Sequence, residues 1–469
     1  MVHFILNDQK VSVNLPDGST VLDYVRYHKR LHGTKIGCRE GDCGACTILV
    51  GSIVNEKLVY SSATSCLMPI ANAHAKHIVT VEGINMDQLS PVQKAMADTN
   101  GTQCGFCTPG FIMSLTGFLL NEKSHTYEQA IASIDGNICR CTGYKSIERA
   151  SSIITKAAAN KSKDNTITWL ADNNFIPSYF VNVRDRLDAL QSSSNDINEV
   201  KDLVIGGGTD LIVQRALKVK RSSVQPMMED KALKEISVTN DRCIIGASVT
   251  VSEFAESATI QNIFPRLANY KKLVSSTPIR NMATLAGNFV NASPIGDMTV
   301  FFLALDADII LKSKSSSRQI KLKDFYLGYK QLDKKVDEVI SHILFKIPLN
   351  NTFHFEKVSK RTHLDIASVN TACQLQMKEN GTVHKIHLSA GGVAPIPKYL
   401  SQTSDFLNRK LLTQENIEQA LNIMDSEISP ISDARGSADY KRLLLRQLVL
   451  SHFITLTGNK ELIRKMIPA

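Results

Sequence analysis

Apolar and polar residues alternate with a period of two over residues 2–15, with Phe4, Leu6, Val11 and Val13 in phase and Asn7-Asp8 between the two runs. That pattern predicts a β-hairpin with one buried face. Ser19 or Thr20 can cap a helix carrying Val21, Leu22, Tyr24 and Val25, and strands are expected near 47–50 and 58–61, after a loop at 34–47 dense in glycine and cysteine. After about residue 83 the spacing becomes helical. Ser90-Pro91 and Thr108-Pro109 each set a capping hydroxyl before a proline suited to the first turn. Phe111, Ile112, Leu115, Phe118 and Leu119 recur at helical intervals, Thr126 and Gln129 form a capping box, and Gly136 supplies a stop. With a further helix over 146–159, residues 84–160 read as a four-helix unit, followed by a polar linker at 161–173. Strands and helices mix over 174–349. A last unit, 350–469, is expected to carry strands near 374–378 and 384–389 and amphipathic helices near 413–426 and 437–456. The fold class is therefore multidomain α+β, with units at 1–83, 84–160, 174–349 and 350–469.

Composition narrows this picture. At 469 residues, with 43% hydrophobic and 21% charged positions, the chain suits several globular domains. The net charge of +9 is dispersed, and its densest cluster, Lys218, Lys220 and Arg221, has no aromatic interleaving, so no nucleic-acid partner is expected. The N-terminus lacks the basic lead and apolar core of a signal peptide. No stretch reaches the roughly 18 apolar residues of a membrane span. A cytoplasmic location without membrane attachment is expected, where thiols stay reduced.

Cysteine placement is more telling. Eight of the ten cysteines lie between Cys38 and Cys141. Cys38, Cys43, Cys46 and Cys66 follow the C-x4-C-x2-C…C spacing of plant-type ferredoxins, which hold a 2Fe–2S cluster on four thiolates. Gly37, Gly41 and Gly44 give the loop the freedom to wrap such a group, and a zinc knuckle with a glycine-packed four-residue gap is the less fitting alternative. Cys104, Cys107, Cys139 and Cys141 form a second set, each pair near a helix start, where the helix dipole favours thiolate. From spacing alone zinc stays open there. Cys243 and Cys373 read as structural thiols.

The segments GCREGDCGACTILV, GTQCGFCTPGF and GNICRCTGY resemble the signatures of the molybdenum hydroxylases, the xanthine dehydrogenase and aldehyde oxidase family. The resemblance implies a β-grasp ferredoxin-like domain at 1–83 and a helical iron–sulfur domain at 84–160, each holding one 2Fe–2S cluster on its four cysteines. It also places Gln103 near the pterin, where the sequence alone reads an ordinary capping or surface glutamine.

Two further segments carry candidate flavin chemistry. Val204-Ile205-Gly206-Gly207-Gly208-Thr209-Asp210 reads as a strand, a glycine loop and a helix. Such a loop can cradle a diphosphate with bare amides, though a structural turn fits equally and the GxGxxG spacing is absent. Thr277–Asp297 adds a second glycine turn with hydroxyl and carboxylate groups that suit a ribose or ribityl chain, though a bland loop explains them equally. Together they resemble the family's FAD-binding domain, which implies FAD contacts at Gly206, Gly207, Gly208, Thr209, Asp210, Gly287, Asn288, Ser293 and Asp297. Phe325-Tyr326 and Tyr329 resemble the aromatic motif on the acceptor side of the flavin, with a core aromatic pair as the alternative. Val339-Ile340 resembles a strand touching the flavin, or else a plain core strand. GGVAPIP and SDARGSADYKR match the family's C-terminal flavin-subunit domain.

The resemblance implies an electron-transfer chain with no catalytic residue of its own. Electrons would come from molybdopterin on a large partner subunit, cross both clusters to FAD and leave to NAD. Clusters and flavin on one chain resemble the small subunit of bacterial xanthine dehydrogenases, which would act on hypoxanthine and xanthine in a heterotetramer of two small and two large subunits. The same role in an aldehyde or N-heterocycle hydroxylase, or a free-standing electron carrier or zinc-stabilised interaction module, are the alternatives.

Overall fold

The computed structural model describes residues 1–122, 126–141, 143–191, 202–228, 230–349, 352–361 and 365–461. The chain forms two compact units: Met1–Met228 with Ser276–Ala283, and Glu229–Ser275 with Thr284–Ala469.

In the first unit a five-stranded sheet runs in the order Gln9–Val13, Val2–Leu6, His77–Val79, Thr47–Val54, Lys57–Thr64. The hairpin turns at Asn7, whose φ of 53° is one that asparagine tolerates. Val2–Leu6 pairs in parallel with His77–Val79, a short strand that the period-two pattern does not reveal. The helix predicted after Thr20 has one ordinary turn, Val21–Asp23, capped by the Thr20 hydroxyl at 3.1 Å, and continues as a π-helix over Tyr24–His28.

The run Ile48-Leu49-Val50 shows why this sheet lies at the centre of the unit. Ile48 and Val50 join a core with Phe4, Val11, Leu22 and Val25. Leu49, on the opposite face, joins Phe111, Leu115 and Phe118. A strand buried on both faces reads as a continuous apolar run. The helices are Pro91–Asp98, Thr108–Leu120, Tyr127–Ser133 and Tyr144–Ala157, with capping boxes at Ser90–Gln93 and Thr126–Gln129.

The stretch 161–173, expected as a linker, instead contains the helix Thr166–Asp172, with Leu170 fully buried in the same core. Its polar composition conceals that anchor, beside which Ile167, Trp169 and Ala171 also pack against the core. Residues up to Met228, expected in a unit beginning at 174, also cluster here. Leu203–Ile205 pairs in parallel with Val224–Pro226, and Leu211–Arg221, kinked where Arg215 leaves helical backbone geometry, is the crossover between them.

Among its described residues the second unit holds two larger antiparallel sheets and a two-stranded ribbon, Tyr326–Gly328 with Gln331–Leu332. One has the order Ser317–Lys321, Asp308–Lys312, Val339–Lys346, Arg242–Gly246, Ile236–Thr239. The other has the order Phe353–Val358, Val369–Met377, Val383–Gly391, Lys398–Tyr399. Helices Ser401–Leu407, Gln414–Glu427 and Ala438–Thr457 cover the second sheet around Leu388, Ile417, Leu421, Leu445 and Phe453. The boundary expected at Asn350 lies outside the described residues. Among the described residues no helix is long and apolar enough to cross a membrane.

Candidate functional site

All eight clustered cysteines lie in the first unit, and all ten cysteines of the chain are free thiols. Three of the first set sit on the loop before strand Thr47–Val54 and Cys66 follows strand Lys57–Thr64, so one hairpin brings the set together. The thiols meet as pairs, Cys43 against Cys38 and Cys66 against Cys46. Backbone amides converge on them: Glu40 N–H donates to Cys38 Sγ at 3.3 Å, and Cys38 N–H to Cys43 Sγ at 3.5 Å. The Cys43 thiol and then the amides of Glu40, Cys43 and Asp42 hold the Cys38 thiol down to about 5. The Cys66 thiol lowers Cys46 in the same way. Room is tight, since a Cβ on Gly37 would stand 2.6 Å from Cys43 Sγ.

The second set occupies two loops of the helical region. Cys107 caps the helix Thr108–Leu120, and Cys139 and Cys141 precede Tyr144–Ala157. Pairing again holds, Cys104 with Cys141 and Cys107 with Cys139. The Phe106 amide, followed by the Cys141 thiol, lowers Cys104, whereas burial pushes Cys107 up to about 12. Cys104 and Cys141 are exposed and Cys139 is buried.

Among the described residues no three His, Cys, Asp or Glu side chains converge as they would on a single ion. Two pairs of thiols per site suit a two-iron group, in which each iron takes two thiolates, and the amides aimed at sulfur suit an anionic cluster. The donor sets therefore fit 2Fe–2S clusters.

The flavin candidates divide between the units. In the first, Gly207 and Gly208 are demanded by close backbone approach: a Cβ on Gly207 would stand 1.8 Å from the Met282 carbonyl oxygen, and one on Gly208, at φ +84°, 2.8 Å from that of Leu67. The Gly206 carbonyl accepts from Asn72 Nδ2 at 2.8 Å. Asp210 precedes the helix Leu211–Arg221, and Thr209 is the last loop residue before it. Strand, glycine loop and helix thus stand in the order expected.

In the second unit, Gly287 donates its N–H to the capping Thr284 hydroxyl at 3.1 Å, inside the helix Leu285–Asn291. Asn288 Oδ1 accepts from the amide and hydroxyl of Thr299, each at 3.1 Å. The Ser293 hydroxyl accepts from the Ile295 amide at 3.5 Å. Asp297 is committed to the protein itself: it pairs with Lys357 at 2.7 Å and accepts from Asn370 Nδ2 at 2.6 Å.

Tyr326 is buried against Phe325 and donates its hydroxyl to the Phe289 carbonyl at 3.2 Å, whereas Tyr329 is exposed. Ile340 is buried on the central strand Val339–Lys346, with Val339 at its start. Gln103 is exposed beside Cys104. Sequence reasoning missed Asn137 and the buried Arg280–Asp135 pair at 2.8 Å. The position of Asn137 within a cysteine motif was the available signal.

Comparison with known proteins finds four family models in succession along the chain. Family models match residues 4–71 (2Fe-2S iron-sulfur cluster binding domain), 80–152 ([2Fe-2S] binding domain), 181–349 (FAD binding domain in molybdopterin dehydrogenase) and 354–456 (CO dehydrogenase flavoprotein C-terminal domain). Xanthine dehydrogenase of Blastobotrys adeninivorans is 28% identical over 96% of this chain and 40% of its own length. Xanthine dehydrogenase/oxidase of Rattus norvegicus is 26% identical over 97% of this chain and 39% of its own. The chain thus spans about two fifths of these relatives. Among solved structures, the Cu,Mo-CO dehydrogenase matches 55% of this chain and 90% of its own, at TM-score 0.51 and 21% identity, a likeness of fold.

Proposed function

Because the chain belongs to the molybdenum hydroxylases, as their iron–sulfur and flavin-binding portion, we propose that it is the electron-transfer subunit of a xanthine dehydrogenase. It takes electrons from molybdopterin on a large partner subunit and delivers them to NAD. The observation that carries this reading is the gathering of eight cysteines, as two sets of paired thiols, within one compact unit.

When bound, the clusters supply single-electron transfer, and FAD joins single electrons into the pair that NAD takes up. Cys38, Cys43, Cys46 and Cys66 would hold one cluster, with the amides of Glu40 and Asp42 beside Cys38 stabilising the thiolate form. Cys104, Cys107, Cys139 and Cys141 would hold the other, where exposed Cys104 and Cys141 face outwards and buried Cys139 lies on the protein side. Gln103, exposed next to Cys104, would meet the partner's pterin.

For FAD, the amides of Gly206, Gly207, Gly208 and Thr209 would take the diphosphate, with Asp210 at the helix start. Gly287, Asn288 and Ser293 would serve the ribityl and ribose groups. Asp297 would act through Lys357 rather than by direct contact. Val339 and Ile340 would line the flavin, and Tyr326 and Tyr329 its acceptor side.

The test is co-expression with the large molybdopterin-binding subunit, followed by metal, sulfide and flavin analysis and an assay of xanthine-dependent NAD reduction. Iron, sulfide and FAD with urate formation are expected. Zinc in place of iron, or a colourless protein, sinks the relay reading. Full cofactor content with turnover only on aldehydes or N-heterocycles overturns the purine assignment alone.

A further inference from the structure

We propose that Asn137 is a positioning residue for electron exchange between the two cysteine sets: its buried carboxamide fixes the Cys43 loop against the segment leading to Cys139. The inference rests on the electron-relay reading above. Asn137 is 6% exposed. Its Oδ1 accepts from the Ser114 hydroxyl at 2.7 Å, and its Nδ2 donates to the Gly44 carbonyl at 3.1 Å. Gly44 lies between Cys43 and Cys46, and Ser114 lies on the helix capped by Cys107. One planar side chain therefore ties together a loop of the first set, a helix of the second, and the residues just before Cys139.

The adjoining backbone follows the same line. The Ile138 N–H, one residue from Cys139, donates to the carbonyl of Cys43 at 3.1 Å. Only glycines allow so close an approach. A Cβ on Gly44, at φ +66°, would stand 2.3 Å from the Gly136 carbonyl oxygen, and one on Gly110 would stand 2.2 Å from that of Gly44. The segment is fastened from its other side as well. Asp135 accepts from the Thr277 amide at 2.7 Å and pairs with Arg280 at 2.8 Å, both side chains almost wholly buried.

Chemistry explains why asparagine stands here. Buried polar groups need partners, and the Ser114 hydroxyl requires an acceptor while the Gly44 carbonyl takes a donor. A carboxamide offers both from one rigid plane. Aspartate would set an acceptor against a carbonyl, and alanine would leave the Ser114 hydroxyl without its acceptor. Without this tie the Cys43 loop is held to the Cys139 segment by the Ile138–Cys43 backbone bond without its side-chain support, so the two can shift relative to one another while all eight thiols stay available as ligands.

The test uses the full-length chain carrying its clusters and flavin, unaltered and as Asn137→Ala, Asn137→Asp and Ser114→Ala. Low-temperature electron paramagnetic resonance of the fully reduced protein reads the spin–spin splitting between clusters, and flash photoreduction reads the exchange rate. For Asn137→Ala and Asn137→Asp, iron is retained, splitting shrinks and exchange slows relative to the unaltered chain. Ser114→Ala shifts both readouts in the same direction to a smaller extent. Iron retained with unchanged splitting and exchange in the Asn137 variants overturns the inference and leaves the relay reading standing. Should those variants fail to fold, Ser114→Ala decides, and an unchanged splitting there overturns it. An unaltered chain that purifies with zinc, or without metal, overturns the relay reading and the inference with it.

Discussion

Individual residues divide into those that answer to the protein and those that answer to a ligand. Gly207 and Gly208 answer to the protein, since the carbonyls of Met282 and Leu67 occupy the space a side chain would need. Gly207→Ala should lower stability by about 1–3 kcal/mol, the cost of overpacking, in urea unfolding of the flavin-free protein. A neutral result would mean that the glycine serves the flavin alone. The cysteines separate in the other direction. Cys43→Ser should remove half of the iron and sulfide, whereas Cys373→Ser, at a buried strand position, should leave metal content unchanged and lower the melting temperature. Equal iron in both variants would dissolve the distinction. The cysteine sets were legible in the sequence because cluster chemistry constrains spacing along the chain. Asn137 was not, because its Gly44 partner lies 93 positions away and its place within a cysteine motif does not say which residue it meets.

Elements were legible wherever their signal is local. Ser90-Pro91 and Thr126 with Gln129 begin helices as their capping chemistry requires, and the 2–15 hairpin follows its period of two. Three-residue strands such as His77–Val79, and the helix Thr166–Asp172, were not legible, because each is held by tertiary contacts and not by its own periodicity. The Thr277–Asp297 stretch looked like one flavin segment, yet its residues up to Ala283 belong with the first unit and the rest with the second. Within that second part, Asp297 ties the start of the helix Asp297–Leu303 to Lys357 and Asn370 on neighbouring strands. Lys357 keeps only 2% of its side chain exposed, and removing one partner of a buried ion pair costs about 3–5 kcal/mol. Asp297→Asn should therefore lower the melting temperature even without flavin. Unchanged stability with weakened flavin binding would instead make Asp297 a direct ligand.

At the scale of the whole molecule, buried histidines make both units sensitive to acid. In the first unit His77 is fully buried, with Tyr60 Oη at 2.7 Å from Nδ1 and the Asn7 carbonyl at 2.9 Å from Nε2. The Asn7 carbonyl can only accept, so Nε2 carries the proton and Nδ1 accepts from the tyrosine. Burial presses this imidazole down to about 3. In the second unit the Nδ1 atoms of His354 and His452 stand 2.8 Å apart, so one donates to the other. A second proton would set two donors face to face. Burial holds His354 down to about 4 and His452 well below its ordinary value. Each group is neutral when folded and takes up a proton more readily when unfolded. The stabilisation is complete above an imidazole's ordinary value, roughly 6.5, and is lost as acid carries the pH down through the folded values. Amide protection at His77–Val79 and at Phe353–Val358, measured by hydrogen exchange relative to the intrinsic rate at each pH, should fall together between about pH 6.5 and pH 4. His452→Phe, which removes one titrating partner, should flatten the profile of the second strand and leave that of the first unchanged. Protection that stays constant across this range in the unaltered protein would mean that these imidazoles are already charged in the fold.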